Sequence, residues 1–334
     1  MLFLGQSGFE DLLARELAEA GGAVAERGPG WGRTDGPVAD PAALAFPHLI
    51  LPAPQEITGE SVNLLAQRLA EFFLGSLRGE RIEAAWPNLW RFPAEVTGLG
   101  RRATAVGKAF DELLKKKLAR VAKLASAEAP RGAGNARGLF VFFADFGRVF
   151  AAREAVFGGQ RRMADDDAAP SRSYLKVEEA CLVLGREPQA GETVCDLGAA
   201  PGGWSYSAAK RGARVTAVDN GPLKGGALHH PGIAHRREDA FRFRPAAGET
   251  FDWLFCDLVE QPNHVMQDLV GPWLAQRWCR RFVINLKFGH VDPLALLRGL
   301  RAPDSPLVRH ATASCIRHLY HDREEFTVVG TSSA

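Results

Sequence analysis

Apolar positions recur along this chain in two rhythms, and the change between them divides it. In the first half most of the rhythm is helical. After the short apolar run Leu2-Phe3-Leu4, residues Phe9, Leu12, Leu13, Leu17 and Ala20 repeat at helical spacing until Gly21-Gly22 stops them. Ser61–Leu77 predicts a helix with Leu64, Leu65, Leu69, Phe72 and Phe73 on one side. Gly107–Ala125 predicts another, striped by Phe110, Leu113, Leu114, Leu118, Val121 and Leu124. Leu139–Phe143 and Val149–Ala155 read as strands, while residues 28–54 carry only weak patterning.

From Ser171 onward helices alternate with short buried strands, expected at 193–197, 214–218, 252–256, 281–286 and 325–329. That alternation predicts an α/β, doubly wound, Rossmann-like parallel sheet, whose ligands lie beyond the carboxyl ends of the strands. Residues 158–170 lack apolar periodicity, are rich in turn formers, and read as a linker.

The turn after the first of these strands carries the chemistry. Asp196-Leu197-Gly198-Ala199-Ala200-Pro201-Gly202-Gly203-Trp204 joins a buried strand to a helix. Glycines there let a ligand approach the backbone. The next strand ends at Asp219, 23 residues beyond Asp196 and near the separation expected of an acid that binds ribose hydroxyls. The spacing is G-x-x-x-G-G, braced by Pro201, not the G-x-G-x-x-G of dinucleotide sites. It points to S-adenosylmethionine (SAM) rather than NAD.

At 334 residues, with 46% hydrophobic and 24% charged residues, the composition is that of a globular protein of about two domains. The net charge of +2 does not by itself argue for nucleic acid. Its distribution says more: Arg101–Lys123 holds eight basic residues against two acids, a local +6 and a candidate for phosphate contact. Five cysteines without a C-x-x-C pair suggest a reducing compartment. With no signal-like N-terminus and no membrane-length apolar run, a cytoplasmic protein with no membrane partner is expected.

Single residues are ambiguous. Asp239 could accept from an adenine amino group or be an ordinary surface carboxylate. Asp257 and Lys287 close apolar strands, where charged groups need partners. Lys176 lies in an expected helix start with Ser173 as a possible cap, and Glu325 opens a strand. Cys256 has no adjacent base and reads as packed. His318, His321 and Asp322 have a metal-like spacing without further ligands, so no metal is expected.

Together these residues match a family. Lys176, Asp257, Lys287 and Glu325 stand in the order K-D-K-E around the glycine loop, which resembles the ribose 2′-O-methyltransferases of the FtsJ/RrmJ class. Longer strings sharpen the match: Ser171-Arg172-Ser173, Val218–Pro222, Arg237–Phe241 with Phe243-Arg244-Pro245, Cys256–Glu260, Asn285-Leu286-Lys287 and Leu319–Glu325. They resemble the RlmM-type 23S ribosomal RNA cytidine-2′-O-methyltransferases, densely from Ser171 to Val329. The first half is similar in outline only, through Gly8-Phe9-Glu10 and the Leu139–Phe143 strand.

The resemblance implies an α/β subdomain over 1–57, an α+β THUMP-like RNA-binding domain over 58–157, and a SAM-dependent methyltransferase domain over 171–334. It implies that Ser173, Ala200, Pro201, Gly202, Gly203, Asp219, Asp239 and Asp257 contact SAM. Lys287 would accept the proton, and Lys176 and Glu325 would position it and the target ribose. The partner implied is 23S rRNA, naked or in an assembling large-subunit particle. Two alternatives stand beside this reading. One is a catalytically idle RNA-binding or ribosome-assembly factor on a SAM fold, which a turnover assay distinguishes. The other is an NAD-dependent oxidoreductase, which thermal shifts with SAM and with NAD distinguish.

Overall fold

A computed structural model describes residues 1–77 and 79–332. The chain forms two compact units: Met1–Ala42 with Phe46–Gly158, and Ala43–Ala45 with Gly159–Ala334.

The first unit is built on one mixed sheet. Its strands are β1 (Leu2–Leu4), β2 (Val24–Gly28), β3 (Trp31–Thr34), β4 (Leu49–Leu51), β5 (Gln55–Thr58), β6 (Trp86–Arg91), β7 (Ala125–Ser126), β8 (Ala133–Phe143) and β9 (Arg148–Gly158). They run in the order β2-β3-β1-β4-β9-β8-β6-β7, with β5 also paired to β9, so one sheet passes through both 1–57 and 58–157. Its helices are α1 (Glu10–Glu19), α2 (Val62–Ser76), α3 (Leu99–Lys117) and α4 (Ala119–Lys123). The Ser61 hydroxyl caps α2 by accepting from the Leu64 N–H at 3.1 Å. α2 and α3 bury Leu65, Leu69, Phe73, Val106, Phe110 and Leu114 with Leu139, Val141 and Phe143 of the sheet. Each such side chain contributes about 1.5–3 kcal/mol when fully buried.

Two expectations change here. The helix expected to begin at Gly107 starts at Leu99, after Gly98 in the left-handed region (φ 86°), and breaks at Leu118 before α4. Gly100 and Gly107 hid its first turns. β2 to β7 were not anticipated, because they are short and lack apolar–polar alternation.

The second unit holds α5 (Tyr174–Leu184), β10 (Thr193–Leu197), α6 (Gly203–Ala209), β11 (Arg214–Val218), β12 (Ile233–Arg236), β13 (Phe251–Cys256), β14 (Cys279–Lys287), β15 (Ala311–Arg317) and β16 (Glu325–Ser332). They form a Rossmann-like sheet in the order β12-β11-β10-β13-β14-β16-β15. The sheet is not wholly parallel, which corrects the expectation. β10 to β14 pair in parallel, but β16 lies antiparallel between β14 and β15, because the short 318–324 connection returns the chain beside β15. β15 was missed because Ala-Thr-Ala-Ser-Cys is small and polar.

Residues 159–170 carry no helix or strand but are fastened to this unit. Glu179 accepts from the N–H groups of Arg161, Tyr320 and His321 at 3.0–3.1 Å, and His321 Nε2 accepts from Met163 N–H at 2.9 Å. Among the described residues no helix is long and apolar enough to cross a membrane.

Candidate active site

Strand register sets the site. Leu197 of β10 pairs with Val218 on one side and Cys256 on the other; Val218 pairs with Arg236, and Cys256 with Ile284. The next residues of each chain segment therefore emerge at one edge: Gly198, Asp219, Asp239 three residues past β12, Asp257, and Asn285 to Lys287.

The glycine loop is pulled tight there. Gly198 has φ 81°, and a Cβ on it would lie 2.6 Å from Leu258. Gly202 has φ 107°, and its Cβ would lie 2.5 Å from the Ala227 Cβ. A Cβ on Gly203 would meet the hydroxyls of Ser171 and Ser173 at 2.8 and 3.0 Å. Both positive φ values suit glycine alone. The Ala200–Pro201 peptide is cis. Asp219 ties the loop to β11, since its carboxylate accepts from the N–H of Ala200 (3.0 Å) and of Gly221 (2.7 Å). Each oxygen keeps a lone pair for a further donor.

Ser173 reaches the loop but does not cap α5 through its side chain, which corrects the expectation. Its hydroxyl pairs instead with that of Ser171 at 2.8 Å, and its carbonyl accepts from the Trp204 indole N–H at 2.9 Å. Asp239 is half-exposed; its Oδ1 accepts from the Phe241 N–H at 2.9 Å, and Arg242 stands 3.5 Å away.

Beside the loop, four charged side chains from four elements meet. Lys176 Nζ of α5 lies 2.5 Å from Glu325 Oε1 and 3.9 Å from Asp257 Oδ2. Lys287 Nζ lies 2.5 Å from Asp257 Oδ1 and 3.8 Å from Glu325 Oε2. Lys287 and Glu325 are cross-strand partners in the β14–β16 register. The two lysines differ in setting. The Lys176 side chain is 12% exposed and that of Lys287 26%. Burial works to lower the Lys176 pKa, but Asp257 and Glu325 outweigh it and hold the ammonium above its ordinary value. Lys287 and Glu325 line a cavity of about 400 Å³ with Val259, His290 and Arg323.

A second layer lies behind, and it was not anticipated. Asn285 is fully buried, and its amide donates to Asp322 Oδ1 and Thr327 Oγ1, both at 3.2 Å. Its Oδ1 accepts from Lys287 Nζ at 3.4 Å. Asp322 also accepts from the Leu319 N–H and the Thr327 hydroxyl, and burial raises its carboxyl well above the usual range. The signal was available: an asparagine inside Val283-Ile284-Asn285-Leu286 breaks an apolar run.

Asp196 was noted only as the start of the loop. It is buried, and its Oδ2 accepts from the Ser205 hydroxyl at 2.6 Å. Among the described residues its Oδ1 has no hydrogen-bond partner. Burial pushes its carboxyl up to about 7, against the Ser205 bond and with help from Asp257. A buried acceptor without a donor, beside a loop whose glycines leave no room for a Cβ, fits a ligand carrying a cationic group.

Elsewhere the expected chemistry is structural. Cys256 is fully buried, and burial raises its thiol far above the usual range. His318 Nε2 bonds the Arg323 carbonyl at 2.8 Å, His321 holds Met163, and Asp322 faces Asn285. Among the described residues no group of three or more His, Cys, Asp or Glu could hold a metal ion.

The chain is similar in sequence to known proteins. Residues 169–274 match the family model described as FtsJ-like methyltransferase. Three similar curated proteins share the name ribosomal RNA large subunit methyltransferase M. The one from Halorhodospira halophila is 43% identical over 198 residues, 58% of this chain and 57% of that protein. The one from Laribacter hongkongensis is 38% identical over 247 residues, 70% of this chain and 67% of that protein. The one from Alkalilimnicola ehrlichii is 35% identical over 312 residues, 88% of this chain and 80% of that protein. Against the first of these the chain spans little more than half the relative's length. The 35% match across four-fifths of the Alkalilimnicola protein extends well beyond the methyltransferase half, and this chain belongs to the ribosomal RNA large subunit methyltransferase M family.

Proposed function

We propose that this protein methylates the 2′-hydroxyl of an RNA ribose, on a cytidine of 23S rRNA, with SAM as methyl donor and Lys287 as general base. The observation that carries this reading is the asymmetry of the two lysines. Lys176 is buried behind two carboxylates that keep it charged, while Lys287 stands on the wall of the cavity. Only Lys287 is positioned to meet an acceptor hydroxyl.

Ser173, Ala200, Pro201, Gly202, Gly203, Asp219, Asp239 and Asp257 hold the cofactor in this reading, joined by Asp196. Bound here, SAM supplies an electrophilic methyl group. The chain's own groups do the rest. Lys287 takes the hydroxyl proton as the oxygen attacks, a step that requires its free amine. Lys176 remains an ammonium and holds Asp257 and Glu325 in place. Those carboxylates orient both amines and stabilise the charge that Lys287 acquires. Asn285, fixed by Asp322 and Thr327, aims the Lys287 amine.

Residues 1–157 serve as the RNA-docking half in this reading, an α/β subdomain followed by a THUMP-like region, and the enzyme works in the cytoplasm on rRNA. The relatives' shared name supports a large-subunit rRNA acceptor. The test is methyl transfer from labelled SAM to 23S rRNA, naked and in precursor particles, with mapping of the modified ribose. Label on a single cytidine ribose is expected; label on a base, or none on either substrate, rejects the reading.

Asp196 adds a pH dependence. Its carboxyl, pushed up to about 7, is largely protonated below that pH. A cation beside Oδ1 favours the ionised form, so SAM should bind more tightly as pH rises through 7. Below 7 the linkage gives at most about tenfold per pH unit. Calorimetric titration between pH 6 and 8 reads this, and Asp196→Asn should flatten the profile. An unchanged profile in the variant removes Asp196 from the cofactor site.

A further inference from the structure

The cavity beside Lys287 holds two features that the chemistry above leaves unused. Val259 lines it two residues beyond Asp257 and is 86% exposed, the most exposed large apolar side chain among the described residues. Glu324 lines it as well and is also exposed.

The turn after β14 fixes where Glu324 stands. Its carbonyl accepts from the Phe288 N–H at 2.8 Å. A Cβ on Gly289 would lie 2.8 Å from Glu324 Oε2, so the missing side chain at 289 is what admits the carboxylate to the cavity wall. Among the described residues neither Glu324 carboxylate oxygen has a hydrogen bond or an ion pair. Arg323 lines the same cavity, yet no ion pair joins the two, so Glu324 is not there to neutralise it. Glu260, a further carboxylate at this cavity, differs: its Oε1 accepts from the Gln261 N–H at 2.8 Å.

The acceptor's own covalent structure says what lies opposite. In a ribose, the carbon bearing the 2′-hydroxyl is bonded to the carbon bearing the base. A hydroxyl held at Lys287 therefore brings its base into the same cavity, whose volume of about 400 Å³ suits a single small ligand group. RNA also brings phosphates, and an unpaired carboxylate repels them unless a donor on the RNA meets it. Cytosine carries such a donor on its N4 amine, where uracil presents the acceptor O4. Single-stranded bases are read in this way, on their pairing edges. We propose that Glu324 is a specificity-determining residue, whose carboxylate accepts from the exocyclic amine of the target cytosine while the ring lies against Val259. Uracil would set O4 against the same carboxylate and be turned away. The proposal rests on the reading that the acceptor is a cytidine ribose, and it assigns the group that chooses the base.

The test uses the full chain, labelled SAM and two 23S rRNA transcripts, one with the mapped target cytidine and one with uridine in its place. The readout is kcat/KM for each. The parent should favour cytidine by about five- to a hundredfold, the usual worth of a well-made contact to a base edge. Glu324→Gln should level the two, because an amide can accept from the N4 amine or donate to O4. Glu324→Ala should lose the preference chiefly by slowing the cytidine transcript. Glu260→Gln should keep the parental preference. SAM affinity, read by calorimetry, should match the parent in both Glu324 variants, which a general loss of structure would not allow. Equal parental rates on the two transcripts, or a preference that survives in both Glu324 variants, overturns the proposal and leaves the methyl-transfer reading intact. Failure of the parent to methylate either transcript overturns that reading, and this proposal with it.

Discussion

Lys287→Ala should bind SAM as the parent does and lose methyl transfer by about 10²–10⁴-fold, the usual worth of general-base assistance. Removing the side chain leaves Asp257 with Lys176 at 3.9 Å and Glu325 with Lys176 at 2.5 Å, so no carboxylate in the cluster is abandoned. The loop contacts of Ala200, Gly202, Gly203 and Asp219 do not involve Lys287. A calorimetric affinity and a single-turnover rate separate the two effects. Lys287→Arg sharpens the test. Arginine restores the positive charge but does not lose its proton in proteins, so it can hold an acceptor phosphate or carboxylate and cannot act as a base. Both variants should therefore be equally slow. Rescue by arginine would make Lys287 a positioning residue, and activity within tenfold of the parent in the alanine variant would remove its role altogether.

Gly202→Ala should be strongly destabilising, because it combines overlap with a left-handed backbone. The new Cβ would sit 2.5 Å from the Ala227 Cβ and on a backbone with φ 107°. The left-handed conformation costs about 1–2 kcal/mol for an L residue, and overpacking adds about 1–3 kcal/mol. Urea unfolding should show a loss within the sum of those ranges, and SAM affinity should fall because the loop must move to relieve the overlap. Gly248→Ala is the control. Gly248 has φ 80° but nothing within 4 Å of its Cβ, so it reports the conformational cost alone. Equal losses in the two variants would mean that the contact with Ala227 is not tight and that the loop has slack.

Much of the second unit was legible because parallel strands buried on both faces are short continuous apolar runs. Thr193–Leu197 and Arg214–Val218 are bounded by the residues expected. β6 and β15 escaped for the converse reason. Trp86-Pro87-Asn88-Leu89-Trp90-Arg91 mixes aromatic, proline and polar residues, and Ala311–Arg317 is held by pairing to β16 rather than by its own side chains. The charged cluster was legible only through resemblance. Lys176 and Glu325 lie at opposite ends of the unit in sequence, and no spacing rule relates them; an antiparallel strand brings them to 2.5 Å. Asn285 was visible as a polar residue inside an apolar run, but Asp322 sits among polar neighbours, and their partnership depends on a pairing that no local pattern encodes. Ser173 misled because serine before a helix usually caps it, whereas here Gly203 admits two serine hydroxyls that bond each other.

The pairing of β14 with β16 has one more consequence. Lys287 faces Glu325 because of a single antiparallel register, and in a pleated strand a slip of one residue turns every side chain to the opposite face. Glu324 or Phe326 would then stand across from Lys287, and Glu325 would point away from Lys176. Asp257 would still stand between the two amines, 2.5 Å from Lys287 and 3.9 Å from Lys176, and only the second carboxylate that joins them would be lost. That one register therefore decides whether the two lysines are bridged by two carboxylates or by one.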